Sequence, residues 1–351
     1  MINKGLWHLL LLVSVFFAHD IEAKDNAVIL LYHHVSEQTP AVTSVSPKVF
    51  RQHLEYLSAH HQVLPLETVI KAISQGKSLP DKSVVITFDD GYDNIFEQAH
   101  PLLKEFGFPY TVFINPPLIG KASYQLSWAQ IKKMAQEGAT FANHGNTHEH
   151  MLGRLPGESD EAWLSRVMDN INQAEQTLAQ QLGYSLKYFA YPYGEFNVPL
   201  KQALRQQGYV AFAQISGAVA SYSDFGALPR YPAAGIYSNI NSLKTKLDSL
   251  AMPVNNITPN EPLITLPIPD IDLIFDVSTE DLRLSQLSCF VADKTVKLSF
   301  TKNTVTVPFK AQQKAGRQRV NCTAPSIKES GRYYWFSQPW FVPTADGQWL
   351  D

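Results

Sequence analysis

The sequence predicts an α/β fold, a barrel of parallel strands ringed by helices, followed by a small antiparallel β domain. Three observations carry this. Continuous apolar runs such as Ala27–Tyr32 and Ser83–Phe88 read as strands buried on both faces. Helical stretches separate them, and repeated strand–helix units imply right-handed crossovers and, in this number, closure into a barrel. Beyond Pro253 the helical period gives way to short alternating runs broken by turn residues, as antiparallel strands require.

Taken in order, Ala27–Tyr32 is the first strand. A helix follows, with Ser46 as its cap, Pro47 in its first turn, and Phe50, Leu54 and Leu57 on one face. A second helix covers Leu66–Ser74. Ser83–Phe88 is the next strand, and a helix runs from about Asn94 to Phe106. Tyr110–Ile114 is a strand, Trp128–Glu137 a helix, Thr140–Asn143 a short strand and Glu161–Leu182 a long helix. Tyr188–Tyr191, Leu200–Gln207, Val210–Gln214 and Ile240–Leu250 continue the alternation. Five prolines between Pro253 and Pro269 then crowd a segment without helical period. After it come Ile271–Val277, Val296–Phe300, Val305–Phe309, Gln318–Cys322 and Tyr333–Phe336. The division is therefore 24–254 for the barrel and 255–351 for the β domain.

Composition narrows the function. Of 351 residues, 45% are hydrophobic and 17% charged, which supports a packed core and excludes a disordered polymer. A net charge of −3 with no basic run argues against a nucleic-acid partner. Residues 1–23 carry Lys4, the apolar run Leu6–Ala18 and a small residue at Ala23, the pattern of a cleavable secretory signal. The run is shorter than the ~20 residues that span a bilayer, and no later segment is apolar enough, so no transmembrane segment is expected after cleavage. A secretory signal of this kind points to a periplasmic or secreted protein, in which a Cys289–Cys322 disulfide is expected.

All 11 histidines lie in the first 150 residues. Polar clusters close four predicted strands: Tyr32-His33-His34, Thr87-Phe88-Asp89-Asp90-Gly91, His144-Gly145-Asn146-Thr147-His148 and Tyr191-Pro192-Tyr193-Gly194. In a parallel barrel every strand C-terminus opens on one face, where active sites collect. His144 and His148, four positions apart, suit one side of a helical turn, and a carboxylate from another strand end completes the three protein ligands typical of catalytic zinc. Adjacent Asp89 and Asp90 can divide labour, one on the metal and one as base.

In that order, TFDDG of 87–91, H-x-x-x-H of 144–148 and Y-P-Y-G of 191–194 resemble the polysaccharide deacetylases with a NodB-type domain, carbohydrate esterase family 4. The opening LLYHHV is similar to that of periplasmic poly-N-acetylglucosamine deacetylases. The resemblance covers about residues 27–250. It implies a distorted (β/α) barrel and hydrolytic deacetylation of an N-acetylated polysaccharide. It implies Asp89 as base, and Asp90, His144 and His148 as ligands of a divalent metal, zinc first, with cobalt, nickel or iron as alternatives. It also implies that the segment of Pro192 and Tyr193 forms the oxyanion hole and groove. A metal that acidifies water toward a pKa of about 7 fits that chemistry.

Three positions depart from the family. Ala190 stands where an arginine usually orients the base, and Arg230 is the candidate replacement. No histidine follows His150, so the family's late general acid is absent, and His33, His34 or a metal-bound water are candidates for the proton donor. Gly145 replaces a common serine or threonine, leaving Asn146 or Thr147 to orient a ligand. Two other readings compete with catalysis on N-acetyl groups: a non-catalytic glycan-binding protein on a decayed fold, and an O-acetyl esterase. The intact Asp89 favours catalysis.

Remaining residues have plainer expectations. His53, His60, His61 and His100 are expected to be solvated. Tyr32 is expected at the barrel mouth or lining the groove. The aromatics Tyr333–Phe336, Trp340, Phe341 and Trp349 serve either sugar stacking or the core and domain interface. The sequence leaves the polymer and the oligomeric state open.

Overall fold

The computed structural model describes residues 23–350, so the signal-sequence reading falls almost entirely outside the described residues. Eight parallel strands form the first sheet: β1 (Ala27–Tyr32), β2 (Gln62–Val63), β3 (Ser83–Phe88), β4 (Tyr110–Ile114), β5 (Ala139–Asn143), β6 (Tyr188–Ala190), β7 (Val210–Phe212) and β8 (Tyr231–Pro232). They lie in the order β7-β6-β5-β4-β3-β1-β8, with β2 beside the start of β3. The segment through Leu228 and β8 closes the ring. Leu228 bridges Phe212 on β7, while Tyr231 and Pro232 pair with Leu30 and Leu31 on β1. The result is the distorted barrel the sequence predicts.

Its helices are α1 (Pro47–His60), α2 (Leu66–Ser74), α3 (His100–Phe106), α4 (Trp128–Gln136), α5 (Asp160–Leu182), α6 (Val198–Gln206) and α7 (Ile240–Leu247). Ser46 caps α1 by accepting from the Val49 amide, and Ser127 makes a capping box with Gln130 on α4. The helix expected from about Asn94 begins instead with a π turn over Ile95–Ala99, because Pro101 cannot donate into an α ladder. β1 and β3 are buried along their whole length, with helices outside and barrel interior inside.

The chain enters the second unit at β9 (Leu250–Ala251), which pairs with the last strand, β17 (Tyr333–Val342). Two sheets follow, antiparallel except for the parallel β9–β17 pair. One joins β9 and β17 to β16 (Gly316–Pro325), β12 (Ser288–Val291) and β13 (Lys294–Thr295). The other joins β10 (Val254–Thr258), β11 (Ile271–Val277), β15 (Thr304–Phe309) and β14 (Ser299–Thr301). β10 lies in the segment whose prolines hide its pairing, and the run expected at Val296–Phe300 pairs only from Ser299. Cys289 and Cys322 stand opposite each other on β12 and β16 and form a disulfide.

The tail aromatics divide by strand parity. Tyr334 and Phe336 pack into the core between the two sheets, where Trp340 stacks on Phe309 at 4.0 Å. Trp335 meets Tyr231 of the barrel edge-on at 5.6 Å, and Phe341 meets Phe196 at 5.5 Å. The core and interface reading therefore accounts for these rings. Three histidines expected in solvent are buried. The His53 ring bonds to the Tyr32 hydroxyl and the Ser238 carbonyl, His100 joins Tyr110 to Glu137, and His61 lies against Asp248. Helical spacing in the sequence shows the face but not which polar partner tolerates burial there. Only His60 of the four is exposed.

Candidate functional site

Four strand ends converge on one barrel rim. Asp89 follows β3, and its amide donates to the Tyr32 carbonyl at the end of β1. Its carboxylate is fully buried and accepts two bonds from the Arg230 guanidinium, at 2.7 and 2.8 Å. Arg230 reaches this point from the segment that closes the barrel, so the partner of Asp89 is a residue remote in sequence. Its Nε donates to the Ala213 carbonyl at 3.2 Å and its plane lies over Phe113. Burial pushes the Asp89 carboxyl up, but the positive field of Arg230 and His144 outweighs it and holds the group below the usual carboxylate range.

Asp90 turns the other way because its backbone is left-handed, with φ of 70°. Oδ1 of Asp90 lies 3.2 Å from Nε2 of His144 and 3.2 Å from Nε2 of His148. One ligand atom from each residue falls within 4.8 Å of the others. The His144 ring donates from Nδ1 to the Ala190 carbonyl at 2.8 Å, which leaves Nε2 as the lone-pair nitrogen. Nε2 of His144 and Oδ1 of Asp90 are buried without a hydrogen-bond partner. Two orphaned polar atoms and a half-buried imidazole converge as a candidate donor set, of a kind that could hold a divalent cation. The residues present fit the metal. His148→Ala is expected to cut bound zinc at least tenfold in affinity, measured by competition with a chromophoric chelator.

The histidine loop is held from behind by asparagines that the sequence reading passed over. Nδ2 of Asn115, at the end of β4, donates to the carbonyls of His144 and Gly145. Oδ1 of Asn143 accepts from the Gly145 amide, and Asn170 of α5 bonds to the Asn146 amide and the Thr147 hydroxyl. Asn146 and Thr147 thus anchor the loop to α5 rather than orienting a ligand. Polar residues ending otherwise buried strands were the available signal. Gly145 has φ of 85°, and a Cβ there would meet Met151 Cε at 2.8 Å. The chain needs glycine at this position. Gly145→Ala is expected to cost about 1–3 kcal/mol of stability, read from chemical denaturation.

Pro192, buried, opens a short turn in which Tyr193 has φ of 55°. The Tyr193 ring stacks on His150 at 3.9 Å and meets His148 edge-on at 4.6 Å, forming one side of the metal site. His150 bonds to Glu195 at 2.8 Å, and Trp349 stacks on its other side at 5.9 Å. The second unit also reaches the turn through Arg317, whose Nη1 donates to the Tyr193 carbonyl at 2.8 Å. His150, Glu195 and Arg317 were not among the sequence candidates, and Trp349 was weighed only for sugar stacking or packing, because nothing local ties these segments to one another.

Tyr32 does not line the groove. It is fully buried among Phe50 and Phe88 with its hydroxyl on His53. Strand alternation turns Tyr32 into the helix-side core and leaves His33 facing the rim. His33 is half-buried, and burial lowers its affinity for a proton despite the nearby Asp90 and Asp89 carboxylates. His34 is buried against Tyr92 and bonded to Asn94, and burial pushes it down to about 4.

The comparisons with known proteins can be set beside this geometry. Residues 76–212 match the family model for polysaccharide deacetylases. The three motifs all fall within the matched segment, so the resemblance they carry holds for residues 76–212. A putative polysaccharide deacetylase of Bacillus subtilis is 30% identical over 184 residues, covering 52% of this chain and 61% of that protein. The poly-β-1,6-N-acetyl-D-glucosamine N-deacetylase of Staphylococcus aureus strain MRSA252 is 28% identical over 171 residues, covering 47% and 59%. The chain thus spans about three fifths of the length of these curated relatives. Among solved structures, a Streptococcus pyogenes deacetylase bound to acetate superposes with a TM-score of 0.55 at 23% identity, covering 63% of this chain and 98% of that one. The fold is shared with that structure, and the second unit lies outside the matched family segment. No helix among the described residues is long and apolar enough to cross a membrane.

Proposed function

We propose that this chain is an exported, metal-dependent hydrolase that removes acetyl groups from an N-acetylated glycan and releases acetate. The observation that carries the reading is the pairing of a three-donor cation site with a buried, arginine-held carboxylate on the same strand end. Zinc is the first choice, since two imidazoles and one carboxylate are its usual borderline donors.

Asp90, His144 and His148 would hold the cation. When bound, it supplies Lewis acidity toward water and toward the acetyl carbonyl. The chain's own residues do the rest. Asp89 is charged at neutral pH and takes the proton from the attacking water. Arg230 fixes both carboxylate oxygens, so the base presents one orientation. The backbone N–H of Tyr193 is the donor assigned to the developing oxyanion, since the Gly194 and Glu195 amides donate within the turn. His33 faces the same centre from β1 and is the candidate to hand a proton to the departing sugar nitrogen. Breaking the C–N bond leaves acetate and a free amine.

The similarity to a poly-N-acetylglucosamine deacetylase supports a GlcNAc polymer as substrate. The test is acetate release from chitin oligomers, poly-N-acetylglucosamine, peptidoglycan and acetylxylan. Activity on an N-acetylated polymer that falls at least tenfold with chelator and returns with zinc is expected. Turnover of acetylxylan alone would replace the reading with an ester hydrolase, and no turnover with retained glycan binding would replace it with a binding protein.

A further inference from the structure

Between the barrel rim and the second unit runs a cleft of about 610 Å³. His33 lies at its barrel end, so the cleft opens onto the proposed centre. Its far wall is β16 and the loop before it, which contribute Lys314, Arg317 and Arg319. Arg317 and Arg319 are two positions apart on one strand and so share a face. None of the three cations is ion-paired with a carboxylate among the described residues. Arg317 is bonded to the Tyr193 carbonyl and Arg319 to the Tyr237 hydroxyl. Lys246 lies within electrostatic reach of Arg319, and burial pushes its pKa down to about 8. Against these, Asp293 is the acid lining the cleft, and Glu195, within electrostatic reach of Arg317, is bonded to His150. The chain as a whole is acidic, at −3, so this concentration of positive charge is local.

We propose that this cleft binds the stretch of glycan flanking the reacting sugar and selects for negative charge on it, so that the substrate class is an N-acetylated glycan carrying carboxylate groups. This rests on the deacetylase reading. A groove lined by one sign of charge with low-dielectric walls concentrates the opposite sign. It also repels an ammonium group, so a sugar already deacetylated is excluded from the cleft. The second unit then sets which acetamides are reached, and consecutive units are not all stripped.

Three matched oligomers of N-acetylglucosamine test this with the full chain: one neutral, one with a neighbouring uronic acid, one with a neighbouring glucosamine. Zinc-loaded enzyme is expected to rank their kcat/KM anionic, neutral, cationic, with steps of roughly threefold. The steps should shrink as ionic strength rises past about 0.15 M, where the Debye length falls to about 8 Å. In Lys314→Gln/Arg319→Gln the ranking should collapse, the anionic and cationic oligomers converging on the kcat/KM of the neutral one. Equal turnover of all three, or a ranking that survives the double substitution, overturns the proposal. Calorimetric binding of the same oligomers reads the cleft without turnover. Ranked binding with no acetate released would sink the deacetylase reading and leave the cleft standing. Equal binding would sink the cleft.

Discussion

Asp89→Asn is expected to lower acetate release by about 10²–10⁴-fold while the protein still binds its full equivalent of zinc. The amide is nearly isosteric with the carboxylate and cannot take a proton. Asp90, His144 and His148 make their convergence without Asp89, whose oxygens are both committed to Arg230. Metal content, melting temperature and kcat measured on one preparation separate the roles. Unchanged turnover would remove Asp89 as the base. Loss of zinc together with turnover would show that Asp89 belongs to the metal set instead.

Arg230→Met is expected to destabilise the metal-free protein by about 3–5 kcal/mol. Both partners are fully buried, and removing the guanidinium leaves a carboxylate without its counter-charge in the barrel interior. The methionine fills most of the volume, so the loss reads the charge rather than a cavity. Asp89→Asn/Arg230→Met, which removes both charges, should recover much of that stability without recovering activity. Chemical denaturation of the two single variants and the double variant closes the cycle. Simple additivity of the two losses would mean that the pair is not coupled as its geometry requires.

How much of this was legible beforehand differs element by element. β1 and β3 announce themselves because a strand buried on both faces must be continuously apolar. The polar clusters sit at their ends because strand C-termini open on one face of a parallel barrel, where even the fully buried Asp89 and His144 converge. Asp89, Asp90, His144 and His148 were thus readable from local sequence. Tyr32 was misplaced because one residue of strand register separates a core ring from the rim-facing His33. His53, His61 and His100 were misjudged because their partners Ser238, Asp248 and Glu137 are distant in sequence.

The sequence by itself determined the alternation of strands and helices, the order of the motifs and the residue types fit for a cation. These depend on periodicity and on donor chemistry, both of which are local. Tertiary structure alone decided that Arg230 backs Asp89 across 141 positions, that Asp90 reaches both imidazoles, and that β16 and Trp349 border the rim. Each is a contact between segments that meet only when the barrel closes and the second unit docks. Closure geometry depends on the packing of the whole chain, and no short window of residues encodes it.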